Sequence, residues 1–396
     1  MVCLLAASHP GLVAAAPALW SMGKPCSIDS YITGCLEIHP DPALLRPGGP
    51  EDIDMTVPGG RVVHLHRISV DSPADSARSL IWQGRVHGDA WSNATFAVSG
   101  HAFVGYITTS PGSAFRVKRG PGGDLQVQVL GNTARIDVLR DDRYACTIPP
   151  PGKAIECDAA AAYDVDVLIL VTPGAEQDLR SGDELRAWIS LAASRTNQSL
   201  AQSGVRHRIR IVGIERLPRY TRITSTQQHM EDLESQAKGF EDLPRLRVMT
   251  GADLTIMLVS AAGPALSCPL PAESLGSRVA SDHGIAVVPV SLLATEDIFT
   301  HEIGHLLGAG HAHTPGVRIE SRGWFEQGDT QHPAWRTLMV RDSCHNCPSI
   351  LYWSTPALPA PGAESRLGIA GKADNASTLN ATGCTVSKAR DRPLQP

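Results

Sequence analysis

The chain is 396 residues long, 42% hydrophobic and 19% charged, with a net charge of −5. That length exceeds what one core normally holds and predicts two domains. Weak net acidity removes the electrostatic basis for nucleic-acid or anionic-membrane binding, and no apolar run is long enough for an integral membrane span.

Residues 1–25 read as a secretory signal peptide: Met1–Ser8 and Leu12–Ala16 are apolar, with small residues near Ala14 and Ala16. No basic residue precedes Lys24, and His9-Pro10-Gly11 breaks the run, so a truncated or misassigned start is the alternative. Residues 26–60, rich in Pro, Gly and Asp, read as an extended lead-in. From Arg61 to about Val138 the pattern is short alternating strands with Gly turns, such as Val62–His66, Leu80–Val86, Ala94–Val98, Phe103–Ile107 and Leu125–Val129. His64 and His66 share one face of a strand and read as solvated rather than metal-bound. Arg140–Arg143 and Pro149–Gly152 mark an exposed linker, so a β-rich domain with its linker occupies 26–162. Exposed linkers attract proteolysis, which places a maturation cut at about 150–163.

The second domain, 163–396, follows a strand–helix–strand–helix–strand order and predicts α/β architecture (α+β) with a mixed sheet. Asp164–Val171 is nearly continuous apolar, as a buried central strand should be. Ser181-x-x-Glu184 is a capping box opening a helix that ends at Gly204, before the strand His207–Ile214. A second helix covers about Ser225–Lys238, and Ala252–Val259 is another buried strand. Gly284–Val290 reads as a strand, and Pro289 places it at a sheet edge, where an extended peptide could add itself.

The next helix carries the chemistry. Thr295 is a candidate cap, Glu296 and Asp297 suit its first turn, and Ile298, Phe299, Ile303, Leu306 and Leu307 form an apolar flank. His301-Glu302-x-x-His305-x-x-Gly308-x-x-His311 puts two imidazoles one helical turn apart. Gly308 can take the left-handed conformation that ends the helix and lets His311 swing back. Three neutral nitrogens leave a fourth position of one Zn2+ open, the catalytic arrangement, and Glu302 is placed as general base.

Past this motif the chain resembles the metzincin metallopeptidases, whose extended zinc motif is followed by a methionine-containing turn; here Met339 matches, in Arg336–Val340. Within that clan it is similar to the reprolysin-like branch, especially the secreted bacterial peptidyl-Asp metallopeptidases. Asp164–Pro173, Cys347–Ser354 and Asp374–Thr382 carry the likeness. The resemblance implies a metzincin-like catalytic domain, Met339 as structural support under the metal, and a β-rich propeptide acting as inhibitor or chaperone. It further implies a monomeric, secreted endopeptidase acting on protein or peptide, with a preference for cleavage before Asp. If that preference holds, Cys157–Asp158 is a candidate for self-processing. Reprolysins usually follow the third histidine with aspartate, and here Ala312 and His313 follow; His313 is a spare ligand at most. Val340 stands where some metzincins carry a tyrosine, so no extra transition-state donor is assigned. The rival reading is a catalytically silent, zinc-stabilised binding module.

Of nine cysteines, Cys3 lies in the leader; of the remaining eight, four precede Asp164 and four follow it. Even counts in each half fit disulfides in an exported protein. Cys146 and Cys157 have two readings: a disulfide with each other, or a thiolate that blocks the zinc and keeps a precursor latent. Cys344 and Cys347 read as disulfide cysteines, since no partner pair sits at zinc-finger spacing.

Overall fold

Strand periodicity governs residues 20–130, in a computed structural model that describes residues 15–28, 32–72, 79–110, 112–131, 155–158, 160–222, 224–237, 239–261, 263–268, 284–293, 297–330, 332–340, 344, 347–360 and 365–388. Nine strands run in chain order: β1 (Trp20–Pro25), β2 (Ile32–Pro40), β3 (Asp52–Thr56), β4 (Val62–Asp71), β5 (Ser79–Val86), β6 (Asn93–Ser99), β7 (Ala102–Thr108), β8 (Ala114–Arg119) and β9 (Leu125–Leu130). They form one antiparallel sheet in the order β1-β2-β9-β8-β7-β6-β5-β4-β3. The two end strands nearly meet: Ala18 bridges Asp54, and the Leu19 amide donates to the Asp54 carbonyl at 2.7 Å. The sheet thereby curls into an almost closed barrel with little free edge.

Alternation decides what each face does. Trp82, Phe96, Phe103 and Phe115 fill the barrel with Trp20, Ile53 and Met55. Their neighbours Ile81, Ala97, Val104 and Tyr106 face outward, yet they too are buried, because they join the core of the second unit.

One expectation fails here. The stretch 26–60 is not an extended lead-in: it holds β2, a 3-10 turn over Pro42–Leu45, and β3. Its prolines and glycines sit in the turns, while Ile38, Ile53 and Met55 between them are core residues. The leader placed over 1–25 overlaps β1, whose Trp20 is buried beside Leu19; residues 1–14 lie outside the described residues.

The second unit begins with β10 (Asp164–Val171), α1 (Pro173–Asp178), α2 (Gly182–Gln202) and β11 (Arg208–Arg216). Next come α3 (Thr226–Glu234), α4 (Leu243–Thr250), β12 (Leu254–Val259), β13 (Leu266–Cys268), β14 (Ile285–Pro289) and α5 (Val290–Leu293). Last are α6 (Ile298–Leu306), β15 (Phe325–Glu326), β16 (Trp335–Arg336) and α7 (Asn375–Ser387). The sheet order is β11-β10-β12-β14-β13, parallel except for β13. This is the expected mixed sheet, with β10 and β12 buried along nearly their whole length. Ser181 caps α2 by accepting from the Glu184 amide at 3.1 Å, and Gly204 takes φ 75° just past its end. α2 packs on β5–β7 of the barrel and also on β11 and α6, so it ties the two units together.

Gly284–Val290 is not the edge. β13 covers it, with Leu266 paired to Val287 and Cys268 to Ile285. Pro289 breaks no ladder on that side because β13 stops short of it. Three residues of strand carry too short a pattern to stand out in the sequence.

Cys157 pairs with Cys384 on α7, not with Cys146, which lies outside the described residues. That bond crosses the divide at Asp164 and overturns a separate pairing within each half. Its cause is local: the Lys388 ammonium donates to the Glu156 carbonyl at 2.8 Å, so residues 156–157 already lie against α7. Cys26–Cys35 and Cys344–Cys347 are bonded, and Cys268 is disulfide-bonded as well.

Candidate metal centre

α6 starts at Asp297, a left-handed residue (φ 57°) whose side chain makes no capping hydrogen bond. Thr295 and Glu296, expected to cap and charge the first turn, lie outside the described residues. The Asp297 carboxylate instead forms a two-pronged pair with Arg195 of α2, including Nη2 to Oδ2 at 2.9 Å. Arg195 is 2% exposed, and its other face is held by the barrel: it donates to Asn93 at 2.9 Å and lies 4.7 Å over the Tyr106 ring. A second tie joins the same helices, Thr196 to Thr300 hydroxyl at 2.9 Å.

From that anchored start, Ile298, Phe299, Ile303 and Leu306 bury one flank and present His301 and His305 a turn apart. Gly308 takes φ 92° and reverses the chain. The returning loop is pinned by Asn375, fully buried at the start of α7. Its Oδ1 accepts from the Gly310 amide (3.1 Å) and Ser321 hydroxyl (2.9 Å), and its Nδ2 donates to the Gly310 carbonyl (3.1 Å). The Thr382 hydroxyl closes the helix end by donating to the Leu307 carbonyl at 2.6 Å.

The result is convergence of three imidazoles. His301 Nε2 lies 3.1 Å from His305 Nε2 and 3.1 Å from His311 Nε2, with His305 and His311 3.0 Å apart. His301 Nδ1 donates to the Leu338 carbonyl at 2.8 Å and His305 Nδ1 to the Ala309 carbonyl at 3.0 Å. Those bonds fix the tautomers, leaving the Nε2 lone pairs aimed at a common point. Such lone pairs repel unless a cation lies among them. Donors bound to zinc at ~2.0–2.1 Å stand ~3.3–3.4 Å apart in a tetrahedral set, a few tenths from the spacing found. The residues fit a zinc ion.

Glu302 follows His301 on the helix and is fully buried. Met339 is fully buried beneath: a Cβ built on Gly304 would meet its sulfur at 3.0 Å and the Trp353 ring at 2.5 Å. The segment ahead of Met339 also supplies the Leu338 carbonyl that orients His301. Val340 is buried, and exposed His313 stands apart from the histidine cluster. Cys157 is committed to its disulfide and offers no free thiolate. Sequence reasoning gives no role to Arg195, Asn375 or Trp353. Trp353 fixes the floor through Nε1 to the Ser199 hydroxyl at 3.0 Å, a contact spanning 154 positions.

No family model matches the chain. Two curated proteins do, each called peptidyl-Asp metalloendopeptidase. One, from Stenotrophomonas maltophilia strain R551-3, is 28% identical over 332 residues, covering 81% of this chain and 75% of its own. The other, from strain K279a, is 26% identical over 330 residues with the same coverage. A solved structure titled "Structure of a chaperone-substrate complex" matches at 16% identity and TM-score 0.45, over 73% of this chain and 39% of that one, too distant to bear on the fold.

Proposed function

We propose that the chain is a zinc-dependent endopeptidase of the metzincin type, exported as a precursor whose β-barrel is the propeptide. The observation that carries this is the convergence of His301, His305 and His311 through Nε2, with Glu302 adjacent. The names of the two relatives support a metallopeptidase and suggest cleavage beside aspartate. Among the described residues no helix is long and apolar enough to cross a membrane.

His301, His305 and His311 would hold the ion. A zinc ion there supplies Lewis-acid polarisation of the scissile carbonyl and eases deprotonation of water. Glu302 takes a proton from the attacking water and delivers it to the leaving amine. Burial of Glu302 keeps bulk water from competing for that proton. The Leu338 and Ala309 carbonyls hold two imidazoles in register, and Asn375 holds the loop bearing the third.

Substrate would extend along the outer side of β13, the last strand of the sheet among the described residues, rather than along β14, which is paired on both sides. The maturation cut falls before residue 155, because Glu156 and Cys157 are fastened to α7. A cut at Cys157–Asp158 would leave the barrel tethered through the disulfide.

Casein breakdown with and without a zinc chelator tests the reading, with Glu302→Gln as control. Hydrolysis should vanish with the chelator and return with Zn2+. Hydrolysis indifferent to both chelator and Glu302→Gln would overturn it.

A further inference from the structure

We propose a second transition-metal site on the outer face of the barrel, formed by Asp52, His66 and His87, that takes a divalent borderline ion such as Zn2+. Three strands bring it together. Asp52 on β3 stands directly opposite His66 on β4, and β5 runs alongside β4 up to Val86, so that His87 follows at its end. The His87 amide donates to the His64 carbonyl at 2.9 Å, fixing the backbone from which the third ligand extends.

The donor atoms already converge. His66 Nδ1 lies 2.8 Å and His87 Nε2 2.9 Å from the same oxygen, Asp52 Oδ1, and all three atoms lie within 4.8 Å of one another. Donors at ~2.0–2.2 Å from a zinc ion and ~90–110° apart stand ~2.8–3.6 Å from each other, and an ion entering here displaces the two ring protons now donated to Asp52 Oδ1. Two imidazoles and a carboxylate, with water completing the shell, form a recognised donor set for Zn2+, with Cu2+ binding more tightly.

Charges of both signs neighbour the site. Asp54 lies two residues along β3, paired with His64 at 2.7 Å. Arg85 stands on β5 in register with His66, a cation that the ligand carboxylate of Asp52 has to outweigh. The site also has a mechanical consequence. β3 is the last strand of the sheet order, joined to the β1 end through the Ala18–Asp54 bridge, so an ion here fastens the closing strand to β4 and β5. His64 and His66 are both exposed, and the proposal departs from the reading of His66 as merely solvated. His87 comes from a separate strand end, and a single-strand reading could not find it.

The test uses the full chain carrying Glu302→Gln, so that it does not digest itself, stripped of metal and dialysed against Zn2+ at neutral pH. Zinc per chain is counted by plasma mass spectrometry in this parent and in His66→Ala/His87→Ala. The count should fall by one ion in the double variant, and Asp52→Asn should weaken that ion at least ~10-fold. These side chains are 46–56% exposed, so their loss leaves the fold intact, which equal melting temperatures in chelator confirm. Added Zn2+ should raise the melting temperature of the parent more than that of the variant. An equal zinc count in the two proteins overturns the proposal. His305→Ala, which removes the helix site, separates the cases: its ion and the barrel ion are lost independently.

Discussion

Replacing Arg195 with methionine removes the guanidinium that joins both units to the start of α6. The side chain is 2% exposed and its partner Asp297 7%, so little water can replace the lost charge. Breaking a buried pair from one side costs ~3–5 kcal/mol, since the remaining carboxylate is stranded. Losing the ring contact with Tyr106 adds up to ~2 kcal/mol when desolvated. Methionine fills much of the arginine stem, so the cavity contribution is small. A loss of ~4 kcal/mol is a large share of a net stability of ~5–15 kcal/mol. Urea unfolding followed by tryptophan fluorescence, in the Glu302→Gln background, measures it. Arg195→Met and Asp297→Leu should each lose at least ~3 kcal/mol, and the double variant should recover at least ~2 kcal/mol relative to additivity. Asn93→Ala should cost ~1–2 kcal/mol and reports the barrel's share. Single variants within ~1 kcal/mol of the parent would refute the idea that this pair anchors the helix.

Further outcomes follow from the site and its supports. Asn375→Ala frees the Gly310 loop and should weaken zinc binding ~10–100-fold in competition with a coloured chelator; affinity within threefold of the parent would show that His311 needs no such pin. N-terminal sequencing of mature protein should give a start between residues 140 and 155, with Cys157 retained; a start at Asp158 contradicts a cut placed ahead of the segment held to α7. Burial holds the His207 imidazole below its ordinary 6.5, and burial does the same for His229. The unfolded chain therefore binds more protons just below pH 6.5, so their contribution is complete above that value and declines as pH falls through it. The melting temperature should drop between pH 7.5 and 5.5, with a shallower slope in His207→Gln; identical slopes would discount that residue.

What can be read from residues is whatever a local pattern fixes. The apolar run Asp164–Val171 forms β10 with the same bounds, Ser181 caps α2 at the Glu184 amide, and Gly308 turns left-handed where the motif requires. What stays hidden depends on partners far along the chain. Arg195 meets Asp297 across 102 positions, and Asn375 meets Gly310 across 65. The barrel strands before residue 60 are obscured by averaging composition over their turns, and Pro289 suggests an edge because the three-residue β13 leaves no periodic trace. The pairing of Cys157 eludes the sequence for a similar reason: proximity along the chain favours Cys146, while α7 brings Cys384 to it.

The most direct measurement is zinc content and casein hydrolysis on the same preparations of parent, His301→Ala and Glu302→Gln. His301→Ala should lose both the helix-bound ion and hydrolysis, whereas Glu302→Gln should keep its metal and lose hydrolysis by ~10²–10⁴-fold. A folded parent without tightly held zinc, or a metal-loaded Glu302→Gln protein with near-normal turnover, contradicts it.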